Sequence, residues 1–186
     1  NVDTVIATAS GALGAAIGVV TNIITTDHST GVVVTGTSTD KSSLTGTSVS
    51  VDADAKEGIS SLLIAASGAQ YAAVSASVNV NRQLSDVSAA VDQTEVLGSF
   101  AQNANYLGRI TTSAITAAGS QYAAVPISVV INYADNAVSS SVAHSILRAE
   151  GQSASVGANR ISEFSSLNVT ASGAMYGAAA GLVNVN

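Results

Sequence analysis

The sequence predicts an all-β chain folded as a parallel β-solenoid (β-helix), and three observations lead there. One uncharged phrase is written three times: residues 66 to 81 read ASGAQYAAVSASVNVN, residues 117 to 132 read AAGSQYAAVPISVVIN, and residues 171 to 186 read ASGAMYGAAAGLVNVN. Its glycine recurs as Gly11, Gly68, Gly119 and Gly173, at spacings of 57, 51 and 54 residues, and a period of that length marks repetition of a supersecondary unit. After each glycine the residues alternate in twos, the period of a strand rather than a helix.

The aligned positions define the elements in order. Six residues after the glycine stand Ile17, Val74, Val125 and Ala179; ten after, Thr21, Val78, Val129 and Val183; twelve after, Ile23, Val80, Ile131 and Val185. Ser75, Ser77 and Asn79 occupy the alternate positions of the second copy. The larger apolar set is expected inside, so Val74, Val78, Val80, Val125, Val129 and Ile131 are predicted to point into the interior, and Val129→Asp is expected to misfold. Upstream, Ile59, Ile110 and Phe164 align, as do Ile64, Ile115 and Val169, and Ala66, Ala117 and Ala171.

Between these phrases, residues 83 to 104 and 137 to 150 fit amphipathic helices, with Leu84, Val87 and Val91 at helical spacing. The matching part of the first copy, STGVVVTGTSTDKSSLTGTSVSVDAD, is too rich in Gly and β-branched residues to be helical, and equivalence draws all copies toward strand. Pro126 falls inside an alternating run, which predicts a bulge or a short strand there. Neither Asn-Gly nor Asp-Gly occurs, which disfavours an antiparallel sandwich of tight hairpins. Residues 1–186 are read as a single repetitive domain with three turns of roughly 18 residues per repeat, a stack of about ten turns and about 48 Å.

Composition narrows the function. Hydrophobic residues make up 47% of the chain but aromatics only 4%, so the core must be built from small side chains. Cysteine is absent, which excludes disulfides, thiolate metal sites and cysteine nucleophiles. A net charge of −6, with Lys41, Lys56, Arg82, Arg109, Arg148 and Arg160 scattered, argues against nucleic acid and against an anionic membrane surface. The uncharged run Thr4 to Thr26 is long enough for a membrane span, but it carries Thr, Ser, Asn and Gly and belongs to the repeat family, so no membrane insertion is expected.

SGAQYAAVSASVNVN, its polar spacers and ITTSAITAAGSQYAAV resemble the repeat region of large secreted bacterial adhesins of the filamentous-haemagglutinin and leukotoxin-like type. That resemblance implies a right-handed parallel β-helical rod at the cell surface or outside the cell, serving adhesion, aggregation or biofilm. The family's secretion domain and a signal peptide are not recognisable in this sequence, so the chain is read as an excerpt of a longer polypeptide or a short relative that polymerises.

Catalytic chemistry finds little to stand on. Asp52 and Asp54, two apart, form the best carboxylate pair for a polysaccharide-degrading β-helix, but followed by Lys56 and Glu57 they read as a solvated face. His28 and His144 have no second ligand at metal-binding spacing, and no nucleophile elbow or phosphate loop occurs. No catalytic residue, cofactor or metal is expected. Asn168 heads an Asn-Val-Thr glycosylation triplet, with Val169 predicted to be core. Tyr71, Tyr122 and Tyr176 sit three residues after their glycines; outward facing, they would contact a carbohydrate or partner, but three turns apart they would be about 14 Å from one another and would cover local apolar surface. The expectation is a non-enzymatic structural and adhesive segment stacking end to end with itself or with the remainder of a longer chain, possible ligands being host or matrix glycans. The alternative is a polysaccharide-binding or polysaccharide-degrading β-helix protein.

Overall fold

Alternating Val, Ile, Ala, Ser, Thr and Asn with few breakers folds into strands several times the usual length of about five or six residues. The structure, a computed structural model, describes residues 1–149 and 152–186. In chain order its strands are β1 (Val2–Ala12), β2 (Ala15–Thr35), β3 (Ser42–Ala69), β4 (Ala72–Asp92), β5 (Thr94–Ser120), β6 (Ala123–Ala143), β7 (Ile146–Arg148), β8 (Ala154–Gly173), β9 (Gly177–Ala178) and β10 (Gly181–Val185). Among the described residues there is no helix, and the amphipathic-helix option for residues 83 to 104 gives way to β4 and β5.

The strands form two parallel sheets. One stacks β1, β3 and β5, with β7 and β8 on the far side of β5; the other stacks β2, β4 and β6, with β9 and β10 beyond β6. The glycines are direct partners, Gly11 with Gly68, Gly68 with Gly119 and Gly119 with Gly173. So are Ile17, Val74 and Val125. The all-β, parallel character expected of a solenoid is therefore present.

Three turns per repeat is corrected. Each rung lies against a residue one whole repeat away, as the glycine partners show, so a repeat makes one circuit of two long strands. The physical reason is local: residues 72 to 92 contain neither Gly nor Pro, and nothing turns the chain before the sheet edge. The drift in period is absorbed at that edge. Residues 36–41 lie between β2 and β3 where Gln93 alone joins β4 to β5, and an extra residue in the register shift between Thr45 and Ser48 completes the longer first spacing. Gly98, opposite that shift, has φ +118°, and a Cβ on it would overlap the carbonyl oxygen of Gly46, so only glycine fits.

Pro126 produces neither a bulge nor a short strand, since β6 runs for 21 residues and pairs Pro126 with Ser75 in unbroken register. The Ala123 N–H donates to Tyr71 O, toward β4. By alternation the position of Pro126 faces the other side, where pairing lapses between β9 and β10. The missing donor is thus spent on the last rung.

The interior is the principal correction. Val74, Val78, Val80, Val125, Val129 and Ile131 point outward and are half-buried among their own rung neighbours, while Ser75, Ser77, Asn79 and Asn81 are buried between the sheets. Ser77, Asn79 and Asn81 find polar partners there, whereas Ser75 Oγ has none. Asn79 Nδ2 donates to Ser61 Oγ at 2.8 Å, Asn81 Nδ2 to Thr112 Oγ1 at 2.8 Å, and Thr112 Oγ1 to Asn132 Oδ1 at 2.8 Å. A shared polar network of this kind removes the desolvation penalty that would otherwise drive such groups outside.

Apolar clusters share that half, among them Val20 with Leu63 and Ala65, and toward the other edge they are larger, with Val51, Val91, Val96 and Phe100 in one and Ala53, Val87, Ala89, Ala104 and Tyr106 in another. Tyr106 is 2% exposed. Its hydroxyl donates to Glu57 Oε2 at 3.3 Å, and burial together with the negative charge of Glu57 holds the phenol well above its ordinary pKa. Gly108 makes room for the ring: a Cβ there would stand 2.5 Å from Tyr106 Oη.

Candidate functional site

One edge of the sheets carries a row of aromatic rings. The chain crosses between sheets at residues 13–14, 70–71, 121–122 and 174–176, and successive crossings are tied by backbone bonds from Gln121 N to Gln70 O and from Met175 N to Gln121 O. One circuit per repeat brings the tyrosines into contact. The rings of Tyr71 and Tyr122 stack with centroids 5.5 Å apart, and those of Tyr122 and Tyr176 at 5.2 Å. The separation of about 14 Å expected from three turns per repeat is corrected. The three remain 54%, 45% and 74% exposed, so they form a ridge along this edge.

This stacking limits what the ridge can hold. The inner ring faces are turned to one another, so a sugar cannot lie flat on the middle of the row. Ring edges and a line of phenol hydroxyls are what remains for contact. Leu13 and Met175 extend the row's flanks as exposed apolar side chains.

Both outer sheet faces beside the ridge are apolar and uncharged. The face of β2, β4, β6 and β10 presents the outward valines and isoleucines, with Ile17 and Ile23 each 69% exposed. The face of β1, β3, β5 and β8 presents Val5, Leu62, Ile64, Ile115, Leu167 and Val169. Charge begins farther from the ridge, where Arg82 lies over the Tyr133 ring at 5.7 Å and Arg109 pairs with Glu163 at 3.1 Å.

Asp52 and Asp54 do share the outer face of β3, as their spacing requires. Each carboxylate accepts from the asparagine one rung away, Asp52 from Asn103 Nδ2 at 2.8 Å and Asp54 from Asn105 Nδ2 at 2.7 Å. Asp52 also accepts from Ser50, and these two bonds lower its pKa against a small opposing effect of burial. His144 Nδ1 lies 3.0 Å from Asp92 Oδ1 at the far edge, and His28 borders an open hollow with Asp27, Lys56 and Glu57. No group of three His, Cys, Asp or Glu converges on a metal-binding geometry among the described residues.

Asn168 and Val169 exchange the expected sides. Val169 is outward and exposed, which corrects its expected place in the core, whereas Asn168 points between the sheets with its Nδ2, the atom a glycan would join, directed at Val183 O at 3.4 Å. Sequence reasoning also missed the asparagine ladder, although the signal was present: Asn79, Asn81, Asn132, Asn184 and Asn186 recur at fixed offsets from the glycines. Comparison with protein-family models, with curated proteins and with solved structures gave no match.

Proposed function

We propose that the chain is a non-enzymatic structural and adhesive β-solenoid segment of an extracellular or cell-surface protein, which displays one regular surface and stacks end to end through its strand edges. The observation that carries this reading is the in-register tyrosine ridge, because its stacked rings, flanked by uncharged faces, lengthen by one similar step at each of the last three copies, Gly14 holding the position in the first. The adhesin texture of the sequence supports the same reading. Stacking would use the open edges of β1 and β2 on one side and of β8 and β10 on the other, which carry unpaired backbone donors and acceptors. The partner is another copy or another stretch of the same polypeptide, and the contacted surface belongs to a host or matrix component rather than to nucleic acid or a lipid bilayer.

Negative-stain imaging and fibre diffraction of the purified chain test the stacking. Filaments with a meridional spacing of about 4.8 Å are expected. Dispersed monomers that turn over a polysaccharide would overturn the proposal in favour of a polysaccharide-active protein. The Ala179 N–H donates to Ala124 O, so by alternation the Leu182 N–H faces the open edge. Leu182→Pro therefore removes an edge donor without breaking the β6–β10 ladder, and should shorten the filaments.

A further inference from the structure

We infer that the outer face of the sheet formed by β2, β4, β6 and β10 is a lateral docking surface for a second copy of this chain, packed sheet against sheet. End-to-end stacking leaves this face untouched, because stacking covers strand edges and not sheet faces.

The inversion of the fold is the starting point. Between positions 15 and 23 and their partners, polar side chains such as Asn22, Ser77 and Ser128 are sealed inside, while Ile17, Val19, Ile23 and Ile127 are exposed to solvent. A contiguous apolar sheet face of this kind is rarely left uncovered in water. Nine residues at about 3.3 Å per residue and four rungs at about 4.8 Å give about 570 Å² per copy, or about 1,100 Å² in a pair. That just clears the size of about 1,000 Å² at which specific interfaces begin.

Three features favour a second copy as the occupant. The face repeats the same side-chain types at each rung, Val74 with Val125 and Val78 with Val129 being direct partners, so it matches a partner with the same rung spacing. Its side chains are small and β-branched, suited to a flat, dry contact with sheets about 10 Å apart. The patch itself carries no charge although the chain bears −6, so two copies can meet here without like charges opposed. The first charged outward neighbours along these strands, Asp27, Arg82 and Asp135, lie beyond the patch and form a polar rim.

The test exploits the absence of native cysteine. Ile127→Cys places a thiol in the middle of the patch, and Asp54→Cys places one on the outer face of the other sheet. Maleimide labelling of each is timed at roughly 5 μM and roughly 500 μM protein, with circular dichroism confirming the strand signal. Labelling of Ile127→Cys should slow about tenfold at the higher concentration. Asp54→Cys should label equally fast at both, and adding Val78→Lys should restore fast labelling of Ile127→Cys. Concentration-independent labelling of Ile127→Cys would overturn the inference, as would equal slowing of both thiols, which indicates unspecific aggregation. Protection of Ile127→Cys by phosphatidylcholine vesicles at the lower concentration would also overturn it, since lipid would then be the occupant. If Ile127→Cys itself lacks the strand signal, the same comparison is made with Val19→Cys on the exposed first rung. Filaments observed with no protection of either patch thiol would leave end-to-end stacking standing and remove lateral docking alone.

Discussion

Asn81 donates its Nδ2 to Asn132 Oδ1 at 2.9 Å across one rung, and both side chains are buried between the two sheets. Asn132 passes the pattern on, its Nδ2 donating to Asn186 Oδ1 at 2.8 Å. A ladder of amides therefore runs along the stack inside the protein. It ties rungs together by side chains in the direction in which the backbone already ties them, which makes register costly to shift.

Asn132→Ala should destabilise the chain by about 1–3 kcal/mol, because Asn81 Nδ2 and Thr112 Oγ1 each lose a buried partner. Urea unfolding measures this. The double variant Asn81→Ala with Asn132→Ala should cost less than the two single variants summed, since each removes a group that the other leaves unpaired.

Val130→Asp and Val129→Asp separate the two faces of β6. Val130 is fully buried, so a carboxylate there should cost several kcal/mol and abolish the cooperative melt. Val129 faces outward, and Val129→Asp should retain the strand spectrum and melt within about 1 kcal/mol of the parent in dilute solution. Equal damage from both would contradict the inverted interior.

Alkaline pH should weaken the fold through Tyr106. Its phenol pKa is raised in the folded chain, so the folded state holds its proton more tightly than the unfolded state does. The contribution is complete below the unfolded value of about 10 and is lost as pH rises from there toward the folded value. Melting temperature followed between about pH 8 and about pH 11.5 should fall in the parent, and less steeply in Tyr106→Phe.

Tyr122→Ala removes two ring stacks and Tyr71→Ala one. Aromatic pairs contribute about 0.5–1.5 kcal/mol each, so Tyr122→Ala should lower stability about twice as much as Tyr71→Ala. Chemical denaturation of the two variants gives the ratio, and identical losses would mean that the ridge is three independent side chains.

Repetition and alternation in the sequence determined the strand character and the register. Gly11, Gly68, Gly119 and Gly173, equivalent in the repeat, are Cα neighbours in the sheet, and Thr21, Val78, Val129 and Val183 are likewise partners on one ladder. Such agreement follows from stacking, because a repeat that adds one rung must place equivalent residues side by side. Alternation alone could not say which face is inside, since a period of two reports only that the faces differ. That choice depends on what the opposite sheet supplies. Ser61 and Thr112, distant in sequence, reach across to Asn79, Asn81 and Asn132, and the bonds they make allow the polar face to be buried and the valines to be left outside. The number of turns per repeat was equally a tertiary matter. Whether the run from Ala72 to Asp92 bends or stays straight is decided by the neighbouring rungs that hydrogen-bond along its whole length, and the same straightness brings Tyr71, Tyr122 and Tyr176 into one stacked row.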